Sequence, residues 1–156
     1  MSDLRDLYQE VILDHSKQPR NFRRPGNANR EARGDNPLCG DKVTVFVTIE
    51  DGKVSDVGFQ GRGCAISMAS ASLMTDIIKG KTEAEARSLF ESFHDEMTGK
   101  SACHGAAAGE LDKLTVLSGV REYPMRVKCA TLSWHTLMAA LDKRQHGVST
   151  EADDRL

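Results

Sequence analysis

The stretch Val43-Thr44-Val45-Phe46-Val47-Thr48-Ile49-Glu50-Asp51-Gly52-Lys53-Val54-Ser55-Asp56-Val57-Gly58-Phe59-Gln60 reads as a β-hairpin, and that reading decides the fold. Val43, Val45, Val47 and Ile49 alternate with Thr44, Phe46 and Thr48, the period of a strand with distinct faces. Asp51-Gly52 supplies the turn, because glycine accepts the positive φ of a type I′ turn. Val54 through Gln60 is the return strand, with Val57 and Phe59 on one face. Val54 is out of phase with them and points to a bulge or a strand end.

Upstream, Leu4, Leu7, Tyr8, Val11 and Ile12 recur at helical spacing, predicting an amphipathic helix that ends before Pro19. Residues 18–42 carry Pro19, Pro25 and Pro37 among glycines and asparagines and read as an extended, irregular segment; a short strand fits there, but the pattern does not demand one. Downstream, Gly61-Arg62-Gly63 is expected to break the return strand. A helix follows, with Ile66, Ala69, Leu73 and Ile77 on one side and Gly80 as its stop. Thr82 and Glu85 form a capping box for the next helix, whose buried face is Ala86, Leu89, Phe90, Phe93 and Met97. Residues 98–109 read as a mobile loop, and Leu111, Leu114, Val116 and Leu117 as a short helix or turn. Pro124 sets up the last helix, with Ala130, Trp134, Leu137, Met138 and Leu141 toward the core. The fold class is therefore α+β, a small antiparallel sheet packed by helices, with one domain over residues 1–145 and a polar, disordered tail over 146–156.

The chain has 156 residues, 39% hydrophobic and 28% charged, enough for one hydrophobic core. Its 21 basic and 23 acidic side chains give a net charge of −2, which is no electrostatic footprint for nucleic acid. No apolar run is long enough to span a membrane. The start, Met1-Ser2-Asp3-Leu4-Arg5-Asp6, lacks the basic and apolar regions of a signal peptide. Four cysteines without a secretory signal point to a reducing cytoplasm, where thiols stay free for metal or sulfur chemistry.

Cys39, Asp41, Cys64 and Cys129 form a set of three thiols and one carboxylate, the kind of set a tetrahedral zinc ion takes. No Cys-x-x-Cys pair is present, which argues against a zinc finger or a thioredoxin-type redox pair. Cys64 follows a glycine turn into a helix, and Cys129 lies near the start of the last helix, so both are expected to gain thiolate character from helix N-termini. The competing reading is that each packs as a small buried hydrophobe. For Asp41 alone, a carboxylate capping a turn is the better reading. Cys103-His104 lies outside the pattern and reads as an exposed, incidental thiol before a second metal or sulfur site. His15, His94, His135 and His146 have no ligand spacing and read as surface or core histidines.

The stretches Gly34-Asp35-Asn36-Pro37-Leu38-Cys39-Gly40-Asp41, Gly61-Arg62-Gly63-Cys64-Ala65-Ile66-Ser67 and Arg126-Val127-Lys128-Cys129-Ala130-Thr131-Leu132 resemble the three cysteine motifs of the IscU/NifU-like iron–sulfur cluster assembly family. They look closest to its SufU branch, from about residue 3 to about residue 145. The resemblance implies a SufE/NifU-like (IscU-like) fold with the metal site at one end, and it turns Asp41 into a zinc ligand beside Cys39, Cys64 and Cys129. It implies that Cys39 accepts persulfide sulfur from a pyridoxal-phosphate cysteine desulfurase, whose histidine takes the vacated zinc position, and that downstream iron–sulfur assembly proteins receive the sulfur. Arg126 matches a basic position of that branch and is implied to support the site's acidic or thiolate groups, a solvated arginine being the alternative. IscU-type scaffolds usually have a histidine where this chain has Lys128, and the region around residues 95–120 is longer here; both favour sulfur delivery over cluster building. Two further readings stay open: a scaffold building an iron–sulfur cluster on Cys39, Cys64 and Cys129, and a non-enzymatic zinc-stabilised binding module.

Overall fold

The computed structural model describes residues 2–37, 40–97, 114–142 and 148–149. In chain order these form α1 (Ser2–Lys17), β1 (Arg30–Asn36), β2 (Asp41–Glu50), β3 (Lys53–Arg62), α2 (Ala65–Ile78), α3 (Glu83–Met97), a 3-10 helix (Thr115–Glu122), α4 (Pro124–Leu141) and β4 (Val148–Ser149). The sheet order is β3-β2-β1-β4. Its first three strands are antiparallel, and β4 adds in parallel to Gly34 and Asp35. The α+β reading holds. For Val148 and Ser149 the expectation of a structureless tail is corrected, because both pair with the sheet edge. The readings placed on residues 98–109, Leu111, Cys103-His104 and His146 lie outside the described residues.

The hairpin forms as its sequence dictates. Asp51 and Gly52 have φ of 54° and 76°, the two positive values of a type I′ turn. Val43, Val45 and Val47 stand opposite Gly61, Phe59 and Val57. The register then shifts: Thr48 pairs with Asp56 and Ile49 with Val54, leaving Ser55 as the extra residue of a bulge. That bulge brings Val54 back to the buried face.

Two strand boundaries differ from the sequence reading. A strand, β1, does occupy residues 30–36, with Ala32, Gly34 and Asn36 on its buried side. A Cβ on Gly34 would collide with Thr136 Oγ1, so glycine is what lets α4 lie against this strand. And β3 does not break at Gly61 but continues to Arg62. Gly61 has φ 154°, and a Cβ there would run into the Lys42 carbonyl; the glycine permits a close strand approach where a breaker was expected.

Helices α2 and α4 cover the valine face of the sheet, with α1 against α2 and α3 against α4. The core between them holds Trp134, Phe59, Phe93, Met74 and Leu137, with the Phe93 and Trp134 rings 5.2 Å apart. The capping box closes α3 as read: Glu85 Oε1 accepts from the Thr82 N–H at 2.9 Å, and Thr82 Oγ1 from the Glu85 N–H at 3.1 Å. Among the described residues no helix is long and apolar enough to cross a membrane.

Candidate metal centre

Three of the expected ligands meet at one end of the sheet. Asp41 opens β2, paired with Asn36 at the end of β1. Cys64 is the N-cap of α2, where its sulfur accepts from the Ser67 N–H at 3.4 Å. Cys129 is fully buried in α4. The Asp41 carboxylate and the Cys64 and Cys129 sulfurs all lie within 4.8 Å of one another. A tetrahedron with metal–sulfur bonds of about 2.3 Å has edges of about 3.8 Å, so small side-chain adjustments suffice to close it on a zinc ion.

The surroundings fix Asp41 in place. Its Oδ1 accepts from the Cys64 backbone N–H at 2.9 Å, and its Oδ2 lies 4.0 Å from Cys64 Sγ. A Cβ on Gly63 would stand 2.5 Å from Asp41 Oδ1, so only glycine leaves room for the carboxylate. Asp41 is fully buried. A buried carboxylate needs donors or a cation, and two thiols supply further negative charge once ionised. The donor set suits a divalent metal with a preference for sulfur.

The Cys64 thiol is lowered from 9.0 to about 6. The main cause is a hydrogen bond from the Cys129 thiol, helped by the Ser67 and Ile66 N–H groups at the helix start, while burial and Asp41 oppose it. The expected helix-terminus assistance therefore exists at Cys64. It is corrected for Cys129, which lies beyond the opening turn of α4, whose N–H groups lack intrahelical acceptors.

The sequence reading missed Asn36. Its buried side-chain amide donates to Asp41 Oδ2 at 3.4 Å and to Cys129 Sγ at 3.5 Å. It thus ties β1 to candidate ligands on β2 and α4. Such outer partners orient metal ligands, and Asn36→Ala is expected to weaken zinc affinity by roughly 10- to 100-fold, measured by competition with a chromogenic chelator on folded protein. Unchanged affinity would reduce Asn36 to a strand-end residue.

Cys39 lies outside the described residues; residues 37–40 join the paired Asn36 and Asp41. Arg126 is exposed on the opening turn of α4, three residues before Cys129. Lys128, in the position of the scaffold histidine, is half-buried. The described histidines are core or partly buried, as read. His15 is buried and shares a 2.7 Å hydrogen bond with Ser72 Oγ, and burial lowers its pKa. The His94 and His135 rings stack edge to face at 5.3 Å.

The fold and site define a class of protein, and comparison with known proteins places the chain in it. The NifU-like N terminal domain family matches residues 7–143, and the chain belongs to that family. It is 41% identical over 148 residues to the zinc-dependent sulfurtransferase SufU of Bacillus subtilis (strain 168), covering 94% of this chain and 97% of that one. It is 36% identical over 143 residues to the iron–sulfur cluster assembly scaffold protein IscU of Streptococcus pyogenes serotype M1, covering 92% of this chain and 87% of that one. Among solved structures, FiSufU from the thermophile Fervidobacterium islandicum AW-1 matches with a TM-score of 0.76 and 38% identity, covering 85% of this chain and 94% of that one.

Proposed function

We propose that this chain is a zinc-dependent sulfur acceptor in iron–sulfur cluster assembly, working with a pyridoxal-phosphate cysteine desulfurase in the cytoplasm and passing sulfur to downstream assembly proteins. The observation that carries this reading is the buried Asp41 carboxylate drawn up to Cys64 and Cys129. Three thiolates alone serve zinc or an iron–sulfur cluster equally well. A carboxylate in the set, with Lys128 where a scaffold carries histidine, fits zinc better. The similarity to a SufU protein over almost the whole of both chains supports the same choice.

Asp41, Cys64 and Cys129 would hold the ion, with Cys39 as the fourth ligand. Bound zinc keeps its thiol ligands deprotonated near neutral pH. The chain's own contribution is then positional. The Cys64 N–H and Asn36 hold Asp41, and the α2 N-terminus holds Cys64, so these ligands remain when Cys39 leaves. Cys39 is assigned the acceptor role because it is the remaining thiol of the set. Its thiolate attacks the outer sulfur of the enzyme persulfide. A Cys39–sulfur bond forms, the enzyme's sulfur–sulfur bond breaks, and the enzyme cysteine departs as thiolate, with no net oxidation.

The test is the composition of protein purified without added metal. The expected result is a colourless protein with about one zinc per chain, four-coordinate by X-ray absorption with sulfur and oxygen ligands. A brown protein carrying labile sulfide and little zinc would favour the scaffold role instead.

A further inference from the structure

The sheet has a second face, and it is basic where it meets the metal end. Helices α2 and α4 pack on the valine face. On the opposite face, residues 21–25 cover one end, with backbone and Pro25 against Gly58 and the Arg24 guanidinium 5.3 Å above the Phe46 ring. The other end is an open concavity of about 660 Å³ whose floor and walls include Thr44, Gln60, Arg33, Asp35 and Lys42. In register, Asp35, Lys42 and Arg62 form one row across the strands and Arg33, Thr44 and Gln60 the next. The first row is one step from Asn36 and Asp41, and Arg62 is two residues from Cys64.

Lys42 and Arg62 stand directly opposite each other, a like-charge cross-strand pair that weakens a sheet. Among the described residues, Arg33, Lys42 and Arg62 form no ion pair, and Asp35 is the one acid in these two rows, Asp41 being turned to the buried face. A chain with net charge −2 thus sets three cations, Arg33, Lys42 and Arg62, against the single carboxylate of Asp35 in these two rows, beside its candidate metal ligands. Mixed signs and an acidic chain suit a protein segment better than a nucleic-acid backbone.

We infer that this face docks an acidic, extended segment of the persulfide-donating partner, guiding its sulfur to the metal end. The inference rests on the proposed function. Such rim charges act on encounter and half-saturation more than on the chemical step, and salt weakens them.

The experiment measures alanine release by the cognate cysteine desulfurase against concentration of the zinc-loaded chain. Arg33→Glu with Arg62→Glu is compared with a control of equal charge change, Lys17→Glu with Lys53→Glu, whose residues are exposed elsewhere. Zinc content and melting are checked for each. At low salt the half-saturating concentration is expected to rise about tenfold or more in the first variant alone, at unchanged maximal rate, and the gap should close toward ~0.5 M salt. Wild-type stimulation with no difference between the variants overturns this inference and leaves the proposed function standing. No stimulation by the wild-type chain overturns both. The chain's own end carries Glu151, Asp153 and Asp154. If removing residues 150–156 tightens half-saturation and erases the effect of charge reversal, those acids occupy the face and the partner assignment is wrong.

Discussion

Replacing Cys39 with serine is expected to reduce stimulation of a cysteine desulfurase to the rate of the desulfurase alone, while the chain stays folded. The effect is all-or-none because the hydroxyl is neither ionised at neutral pH nor a soft nucleophile toward sulfur, so no sulfane sulfur can be accepted. Asp41→Ala should act differently. It leaves every thiol and removes the buried carboxylate, so zinc binds more weakly or takes water in its place, and activity falls with zinc content. Cys103→Ser should change little, since that thiol is outside the ligand set. The measurement is sulfide and alanine release from cysteine, with zinc content read on the same samples. Wild-type stimulation by Cys39→Ser would remove Cys39 as the acceptor. Loss of activity in Cys103→Ser instead would place the relay on the wrong cysteine.

The parts of the fold that were legible are those whose signals are local. The hairpin needs only alternation and Asp51-Gly52, α3 only Thr82 and Glu85, and α4 only Pro124 and an apolar stripe. Strand β1 was not legible because its buried side must be small. Gly34 lies against Thr136, so the bulky apolar residues that announce a strand cannot be there. Gly61 misled for a related reason: glycine marks a chain break and a close backbone approach alike, and only the Lys42 carbonyl across the sheet distinguishes them. Strand β4 pairs two residues with a strand more than a hundred positions earlier, which no local pattern carries.

For the site, residue types suggested a thiol and carboxylate set, but it took the three motifs together to favour Asp41 over a turn cap and Cys64 and Cys129 over buried packing; the fold brings these three side chains together. Asn36 was invisible, although it sits inside the first motif. An asparagine before proline looks like a turn residue, and its role depends on a sulfur 93 positions away. Gly63 is the same lesson in steric form. It reads as part of a loop, yet the space it leaves open is filled by the Asp41 carboxylate.

The second large effect expected is on stability. Cys64→Ser or Cys129→Ser should lower zinc content and the thermal midpoint together, and chelator-treated wild type should melt near the same temperature as the variants. The proposed ligands join the start of β2, the N-terminus of α2 and the second turn of the sheet-covering α4, elements brought together only by folding. The unfolded chain has no such site, so metal-binding free energy becomes folding free energy. A ligand present at a thousandfold its dissociation constant contributes about 4 kcal/mol, which for a chain of this size is a midpoint shift of roughly 10 °C. Serine at either position keeps the size but is a poor zinc ligand, so each variant should resemble the metal-free wild type. Calorimetry on the wild type, the metal-free wild type and both variants checks this, with zinc measured in each. Unchanged melting after complete metal removal would mean that the core of Trp134, Phe59 and Phe93 holds the fold alone and that the ion serves chemistry only.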